Sequence, residues 1–288
     1  MHPQCHDDKM SALLQFKQSF TIEEFASCFP IACNRVISWT PEGENSTDCC
    51  SWDGVNCDED TGHVIGLDLN NSCLFGSINS NNALFRLIHL QKLNLADNYF
   101  NYSQISSQVG NLSRLTHLNL AHSMFSGQIP LEVSKLSQFS SLGLGWNHDS
   151  KKKPITIGKV EPNKPRWKSN PMPNIFANMS NLRSLYLLDC GMYWEFPRHF
   201  YATEFMDSWG KSQWRSQWFL AWLSMFLCNM TFLHVLDVSN NNFSGSLPQC
   251  LHNMFYGSKL RWFVWEETNS KACYQDHWPI VHGRGLRC

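Results

Sequence analysis

The sequence is poor in charge and has no long apolar run. Charged residues make up only 16% of its 288 residues, and the formal net charge is −1. A chain without an excess of positive charge lacks the field that draws basic proteins to nucleic acids or acidic lipids, so these partners are disfavoured. No stretch reaches the roughly 18 apolar residues that a bilayer-spanning helix needs, so we predict no membrane span in this chain.

Recognisable enzyme motifs are equally absent. The sequence contains no GxSxG, HExxH, Walker or kinase motif. His117 and His122 have a poor spacing for a metal pair, and the adjacent Cys49 and Cys50 cannot easily point both sulfurs at one tetrahedral ion. We therefore expect no enzyme activity, no cofactor and no metal.

Cysteine is abundant instead, and its placement indicates an oxidising compartment. Seven of the 12 cysteines fall in the first 73 residues. An even cluster, such as Cys5 with Cys49 and Cys50 with Cys57, is typical of a disulfide-bonded cap on a secreted protein, although the connectivity stays open. Seven N-glycosylation sequons agree with secretion: Asn45, Asn70, Asn101, Asn111, Asn178, Asn229 and Asn242. The first five residues do not resemble a signal peptide, so export also stays open.

An internal repeat is the dominant pattern of the sequence. The motif LxxLxLxxN, with a trailing FxGxIP, places its last strand aliphatic residue at positions 69, 95, 120, 144, 187 and 238. The first intervals of 26, 25 and 24 residues have a leucine-rich-repeat period, whereas the later ones are 43 and 51. We therefore predict an α/β fold, a right-handed leucine-rich-repeat solenoid with short parallel strands on its concave face.

Each part of the motif has a physical role. The LxL segment is a short strand whose alternate residues point inwards, so we expect His117 and Asn119 to face out. A ladder of polar side chains follows successive strands and is expected to satisfy unpaired backbone groups: Asn98, Ser123 and Asn147. A spine of aromatic side chains is expected beneath the convex side: Phe100, Phe125 and Phe243. One turn alone cannot bury its leucines, so the array needs neighbours and end caps.

The N-terminal segment is expected to close one end of the solenoid. Asp7 and Asp8 can cap a helix whose apolar positions are Leu13, Phe16 and Phe20. A disulfide-closed, tryptophan-bearing plug at 49–57 is then expected over the first strand. We divide the chain into a cap at 1–62, regular repeats at 63–147, a Lys/Pro-rich insertion at 148–175, irregular repeats at 176–253 with a Trp-rich insertion at 199–227, and a non-repeat tail at 254–288.

At these residues the chain resembles plant leucine-rich-repeat receptor-like proteins and receptor kinases. The shared features are the Asp-Asp pair followed by ALLQFK at 12–17, CCSWDGVNC at 49–57, TGHVI at 61–65, and the FSGxIP repeats. The resemblance implies a non-catalytic domain on the extracellular side of the plasma membrane. Such domains bind peptides, glycans or proteins, often in defence signalling, and a receptor-kinase co-receptor is a further expected partner. Without the kinase or membrane helix of the family, we expect a truncated or divergent member.

The irregular segments leave alternatives open. The Lys/Pro-rich stretch is either a functional loop or a plainer feature, namely a solvated insertion or an artefact of the gene model. The Trp-rich stretch is either an interfacial helix or unrelated sequence spliced into a missing repeat. We favour the plainer interpretation of each. Two rival functions follow. One is a secreted inhibitor of wall-degrading hydrolases, resembling polygalacturonase-inhibiting proteins. The other is a degenerate product without a stable fold beyond about residue 147.

The outward strand positions form a polar strip that suits hydrogen bonding to an extended partner. Any single position is better explained as ordinary surface than as a binding hot spot, because a minority of interface residues carries most binding energy. The candidate ligand-binding residues are Lys92, Asn94, Asp97, His117, Asn119, His122, Tyr186 and Asp189.

Overall fold

Short strands and short helical turns alternate along the chain. The computed structural model describes residues 4–27, 33, 35–40, 48–147, 155–156, 179, 181–187, 232–237 and 261–263. Within these residues, helix α1 is Asp7–Lys17, and the 3₁₀-helices are Glu24–Ala26, Cys49–Ser51, Ala83–Arg86, Ser107–Asn111 and Leu131–Lys135. The strands are β1 (Phe20–Ile22), β2 (Val55–Cys57), β3 (Val64–Asp68), β4 (Leu74–Gly76), β5 (Lys92–Asn94), β6 (His117–Asn119), β7 (Gly127–Gln128), β8 (Ser141–Gly143), β9 (Ile155–Thr156), β10 (Ser184–Tyr186), β11 (Val235–Asp237) and β12 (Arg261–Phe263).

The main sheet stacks the repeats as the period predicts. Its strand order is β2-β3-β5-β6-β8-β10-β11-β12, in which β2 is antiparallel to β3 and the other neighbours are parallel. The amide of Leu95 donates to Asn119 O at 2.9 Å and that of Leu120 to Gly143 O at 2.8 Å, so consecutive motifs lie on adjacent rungs. One column of buried leucines faces the interior: Leu67, Leu93, Leu118, Leu142, Leu185 and Leu236. The predicted solenoid is confirmed.

The sheet continues past the point where the regular spacing ends. Strand β8 pairs directly with β10, which pairs with β11, although the intervening sequence is much longer than one repeat. Strand β12 lies in the segment predicted to be a non-repeat tail, yet it adds a parallel strand next to β11. Strand β9, inside the predicted insertion, pairs with β7. These pairings count against the hypothesis that no fold exists beyond about residue 147.

A ladder of buried polar side chains runs beside the strands, as predicted. The Asn98 amide group donates to the carbonyls of Leu69, Leu95 and Ala96 at 2.8–3.0 Å, and its oxygen accepts from Leu74 N at 2.9 Å. Asn147 repeats this pattern two rungs later: it donates to the carbonyls of Leu120 and Leu144 and accepts from the amides of Ser123 and Phe125. Between them, the Ser123 hydroxyl donates to Leu95 O at 2.7 Å. Each side chain thus satisfies backbone groups of its own rung and of the rung before it.

An aromatic spine joins the repeats to the cap. The rings of Phe100 and Phe125 lie 5.1 Å apart, and Phe20 meets Phe100 edge-on at 5.5 Å. Phe16 contacts Phe20 at 4.9 Å, which carries the spine into α1. Phe243, the third predicted member, lies outside the described residues.

The start and end of α1 differ from the prediction. His6 occupies the position before the helix, so Asp7 and Asp8 lie in its first turn. Their negative charges interact favourably with the positive end of the helix dipole, but no side-chain hydrogen bond caps the helix. Phe20 is not on the helix, which ends at Lys17. It lies on β1, which pairs antiparallel with β4, and its ring packs against Phe100 of the spine.

The cap covers the first edge of the main sheet, as predicted. Strand β2 supplies the antiparallel neighbour that β3 otherwise lacks, which protects an open edge from stray strands. The rings of Trp39 and Trp52 stack at 5.5 Å, and Trp39 Nε1 donates to Asp53 O at 3.0 Å. Disulfides join Cys5 to Cys49, Cys50 to Cys57 and Cys33 to Cys73. Sequence reasoning grouped the first two pairs and missed the third, because spacing alone does not fix connectivity.

Three histidines stack where the cap meets the first rungs. The rings of His6 and His63 lie 4.5 Å apart and those of His63 and His89 lie 3.8 Å apart, both nearly parallel. His6 Nε2 donates to Thr61 O at 2.9 Å, whereas the buried Nδ1 atoms of His63 and His89 have no hydrogen-bond partner among the described residues. Burial first, and then the neighbouring positive groups, lower the pKa of both His63 and His89.

Replacing Asn98 with Ala should lower the free energy of unfolding by about 3 kcal/mol, because several buried backbone groups lose their partner. The measurement is guanidinium unfolding followed by circular dichroism. Asn81→Ala, at an exposed turn position, is the matched control and should change the free energy by less than about 0.5 kcal/mol. Equal effects of the two substitutions would contradict the structural role of the ladder.

The histidine stack predicts a loss of stability on acidification. Because the folded pKa values of His63 and His89 lie below the ordinary value of 6.5, the unfolded chain binds more protons. The stability that the two neutral histidines contribute to the fold is fully present above pH 6.5. It is lost as the pH falls through that value towards the lower folded pKa. His89→Phe retains an aromatic ring but removes the site that binds a proton. The melting temperature of this variant should therefore fall less between pH 7.5 and pH 5.0 than that of the parent chain.

The control for this experiment is His234→Gln, an exposed position far along the sheet. It should melt with the same pH dependence as the parent chain. A His89→Phe variant that is as acid-sensitive as the parent would show that other groups control the transition.

Candidate functional site

The strand face carries two polar columns fixed by the sheet register. The upstream column, at the start of the strands, contains Lys92, His117, Ser141 and Ser184. The downstream column, at the end of the strands, contains Asp68, Asn94, Asn119, Gly143, Tyr186 and Asp237. Five of the eight predicted ligand-binding residues therefore share one surface. Asp189, another of them, lies outside the described residues.

Positive groups gather at the upstream edge. Lys92 is exposed, and Arg183 and His234 are exposed immediately before β10 and β11. His117 lies beside Lys92 across the strand pair, and its Nδ1 is 2.8 Å from the Thr116 hydroxyl. Burial, with a smaller effect of the Lys92 charge, lowers the pKa of His117. This ring therefore stays neutral further into the acidic range than a free histidine.

Asn119 is less accessible than its strand position predicts. Its side-chain oxygen accepts from Ala121 N at 3.1 Å, and the residue is only 8% exposed. The reason is Gly143 on the next rung, where an added Cβ would lie 2.6 Å from Asn119 Oδ1. The missing side chain leaves room for the amide to lie over the neighbouring backbone. Sequence reasoning assigned Gly143 no role, although a glycine at an outward strand position was a visible signal.

Tyr186 is a half-buried phenol in the downstream column. Burial raises its pKa, a hydrogen bond with Ser184 opposes the shift, and the Asp237 charge adds to it. The hydroxyl therefore stays protonated at physiological pH and keeps its ability to donate a hydrogen bond.

Asp97 and His122 belong to a row of turn residues beside the downstream column. Both adopt left-handed backbone conformations, with φ of 54° and 53°, as do Asn71 and Trp146 at the equivalent positions of their rungs. Asp97 Oδ1 lies 2.9 Å from His122 Nδ1, and the Ser27 hydroxyl donates to Asp97 Oδ2 at 2.8 Å while also contacting Asn71. These two predicted residues therefore engage each other and tie the cap to the second and third rungs.

The described residues that could hold a metal are already committed to other bonds. The sulfurs of Cys5, Cys49 and Cys50 lie within 4.8 Å of one another, but each belongs to a disulfide in the structure, so none offers a thiolate. Among the predicted sequons, Asn101 and Asn111 are exposed and Asn70 is half-buried. The others lie outside the described residues: Asn45, Asn178, Asn229 and Asn242.

Comparison with known proteins agrees with the leucine-rich-repeat pattern of the sequence and with the observed solenoid. A leucine rich repeat N-terminal domain matches residues 6–58, and leucine rich repeats match residues 114–136 and 232–254. The chain is 32% identical over 280 residues to Receptor-like protein 6 of Arabidopsis thaliana, which covers 89% of this chain and 28% of that protein. The chain is a leucine-rich-repeat protein similar to the plant receptor-like proteins. Another such receptor-like protein, Cf-9 of Solanum pimpinellifolium, is 40% identical over 147 residues, 48% of this chain and 17% of Cf-9.

The fold likeness extends across most of the chain. The crystal structure of PEPR1-AtPEP1 superimposes with a TM-score of 0.55 at 19% identity, over 90% of this chain and 28% of that one. This likeness concerns the fold alone. The chain spans roughly a quarter of the length of Receptor-like protein 6. Within the described residues, no helix has both the length and the apolar character that a membrane crossing requires.

Replacing Gly143 with Ala should lower the free energy of unfolding by about 1 kcal/mol, because the new methyl group displaces the Asn119 amide from Ala121 N. Chemical unfolding measures this change. In an Asn119→Ala background the same substitution should cost nearly nothing, since the displaced group is gone. An equal cost in both backgrounds would show that Gly143 is needed for another reason.

Proposed function

We propose that this chain is a non-catalytic recognition module on the extracellular side of the plant plasma membrane, and that its strand face binds an extended peptide. The observation that carries the proposal is the sheet register, which aligns the accessible polar side chains of the strands along the solenoid: Lys92, Asn94, His117, Ser184 and Tyr186. Such an elongated row of polar groups suits an extended ligand better than a compact one. The disulfide-bonded cap supports an extracellular location.

The charges of the face suggest the chemistry of the peptide. The exposed Lys92 and Arg183 lie at the upstream edge, whereas the acidic members of the downstream column are the half-buried Asp68 and the buried Asp237. Three strand steps separate β5 from β10, which is about 14 Å at the usual strand spacing. About four residues of an extended chain span this distance. We therefore propose a peptide with two acidic side chains about four residues apart, both directed to the upstream edge.

A role in defence signalling with a receptor-kinase co-receptor completes the proposal. It follows from the resemblance to the receptor-like proteins. The chain matches a minor part of the length of those relatives, and we propose recognition as its part in the whole receptor's function.

Selection from a phage library of random linear peptides tests the proposal. The immobilised chain should enrich acidic peptides, and their dissociation constants are then measured by calorimetry. Lys92→Glu combined with Arg183→Glu should weaken binding by at least about tenfold, because like charges then face each other. Lys135→Glu, on the exposed end of a 3₁₀-helix away from the strand face, is the matched control and should leave the affinity unchanged.

Two outcomes would contradict the proposal. One is enriched peptides that bind the doubly substituted chain as tightly as the parent. The other is a library that yields no binder, while oligogalacturonides or a wall-degrading hydrolase bind the same strand face.

A further inference from the structure

A cluster of aromatic side chains lies on the flank of the first repeats, outside the strand face. Phe25, which is 66% exposed, meets Phe75 edge-on at 5.2 Å and Tyr99 at 6.4 Å. Phe75 and Tyr99 contact each other at 5.4 Å, and Tyr99 meets Tyr102 at 6.0 Å. We call these four residues the flank cluster. Phe25 is exposed and the other three are half-buried, and aromatic surface gathered in this way is a candidate contact surface.

A glycosylation sequon lies within this cluster. Asn101, Tyr102 and Ser103 form the sequon, and Asn101 is exposed between the two tyrosines in sequence. Asn101 and Tyr102 have φ of 49° and 58°, and Ser103 N donates to Phe100 O at 2.9 Å. Two consecutive left-handed residues closed by this hydrogen bond are characteristic of a tight type I′ turn, in which asparagine is favoured.

The turn is held by both neighbouring repeats. Ser103 Oγ accepts from Ile78 N at 3.0 Å and donates to Phe100 O at 2.6 Å. On the other side, Ser126 Oγ donates to Tyr102 O at 2.6 Å and Ser126 N to Ser103 O at 3.0 Å. A group attached to Asn101 is therefore presented by a fixed turn that also carries Tyr102 and follows Tyr99 in the sequence.

We propose that Asn101 carries an N-linked glycan whose first sugar packs against the flank cluster. The first N-acetylglucosamine has an apolar C–H face, which covers aromatic carbon while its hydroxyls stay in water. Burial of this face stabilises the folded repeats, and the chain's own glycan is thus the occupant of the patch. The inference rests on the extracellular location in the proposed function, but not on the peptide.

Asn111 offers a matched comparison. It is also exposed and also starts a sequon, but it ends the 3₁₀-helix Ser107–Asn111, and its amide donates to Gln108 Oε1 at 2.6 Å. The sequence around it, residues 105–116, contains no Phe, Tyr or Trp. A sugar at Asn111 should therefore leave the stability of the fold unchanged.

The test uses the full chain secreted from cells restricted to high-mannose glycans. Mass spectrometry measures the occupancy of each sequon, and an endoglycosidase then trims every glycan to one N-acetylglucosamine. The trimmed chain should melt about 2 °C above Asn101→Asp, a substitution that the left-handed backbone tolerates. Asn111→Asp should melt with the parent. In a Tyr102→Asn background, which keeps the sequon and also tolerates the turn, the gain from the Asn101 sugar should fall by at least half.

The proposal is overturned if Asn101 is unoccupied in secreted protein whose Asn111 is occupied, or if the sugar effect survives Tyr102→Asn undiminished. It is also overturned if Asn101→Asp has the same melting temperature as the trimmed parent, since the flank cluster would then be a contact surface for a second copy or another protein. Asn101→Asp should keep the affinity for selected peptides. A stabilising sugar together with no peptide binding would therefore count against the proposed ligand alone.

Discussion

The structure depends on the satisfaction of backbone groups at the end of each strand. A three-residue strand leaves carbonyls and amides on its downstream side that the hydrogen bonds of the sheet do not reach. Because these groups are buried, each of them costs free energy if it has no partner. Asn98, Ser123 and Asn147 fill this need from inside the solenoid, and each bonds to two rungs at once. The polar ladder therefore sets the stacking, while the leucine column and the phenylalanine spine supply the apolar burial.

The strand face inherits its order from this stacking. Because the rungs cannot slip past one another without breaking the ladder, Lys92 stays beside His117 and Asn94 beside Asn119. The cap contributes by the same logic: β2 fixes the first strand, and Ser27 reaches the Asp97–His122 pair. A surface built in this way is prepared before any partner arrives, which reduces the entropy lost on binding.

Much of this arrangement is readable from the sequence, because periodicity reports directly on burial. The rungs, the ladder and the covered sheet edge follow from the spacing of leucine, asparagine and cysteine. The features that were missed depend on the packing of segments distant in sequence. Phe20 leaves the helical pattern to join the spine, Cys33 pairs with Cys73, and Asn119 lies over Gly143. Arg261–Phe263 lacks the leucine pattern and yet pairs as a strand, so pattern matching overlooked it.

The unequal distances between the later strands have an evolutionary consequence. Successive strands remain neighbours both where β5 starts at Lys92 and β6 at His117, and where β10 starts at Ser184 and β11 at Val235. The pairing of strands is therefore independent of the number of residues between them. A gene of this kind can acquire or lose stretches of coding sequence between two rungs without changing the geometry of either. Diversity can therefore accumulate in a lineage at those junctions while the scaffold on which selection acts stays the same.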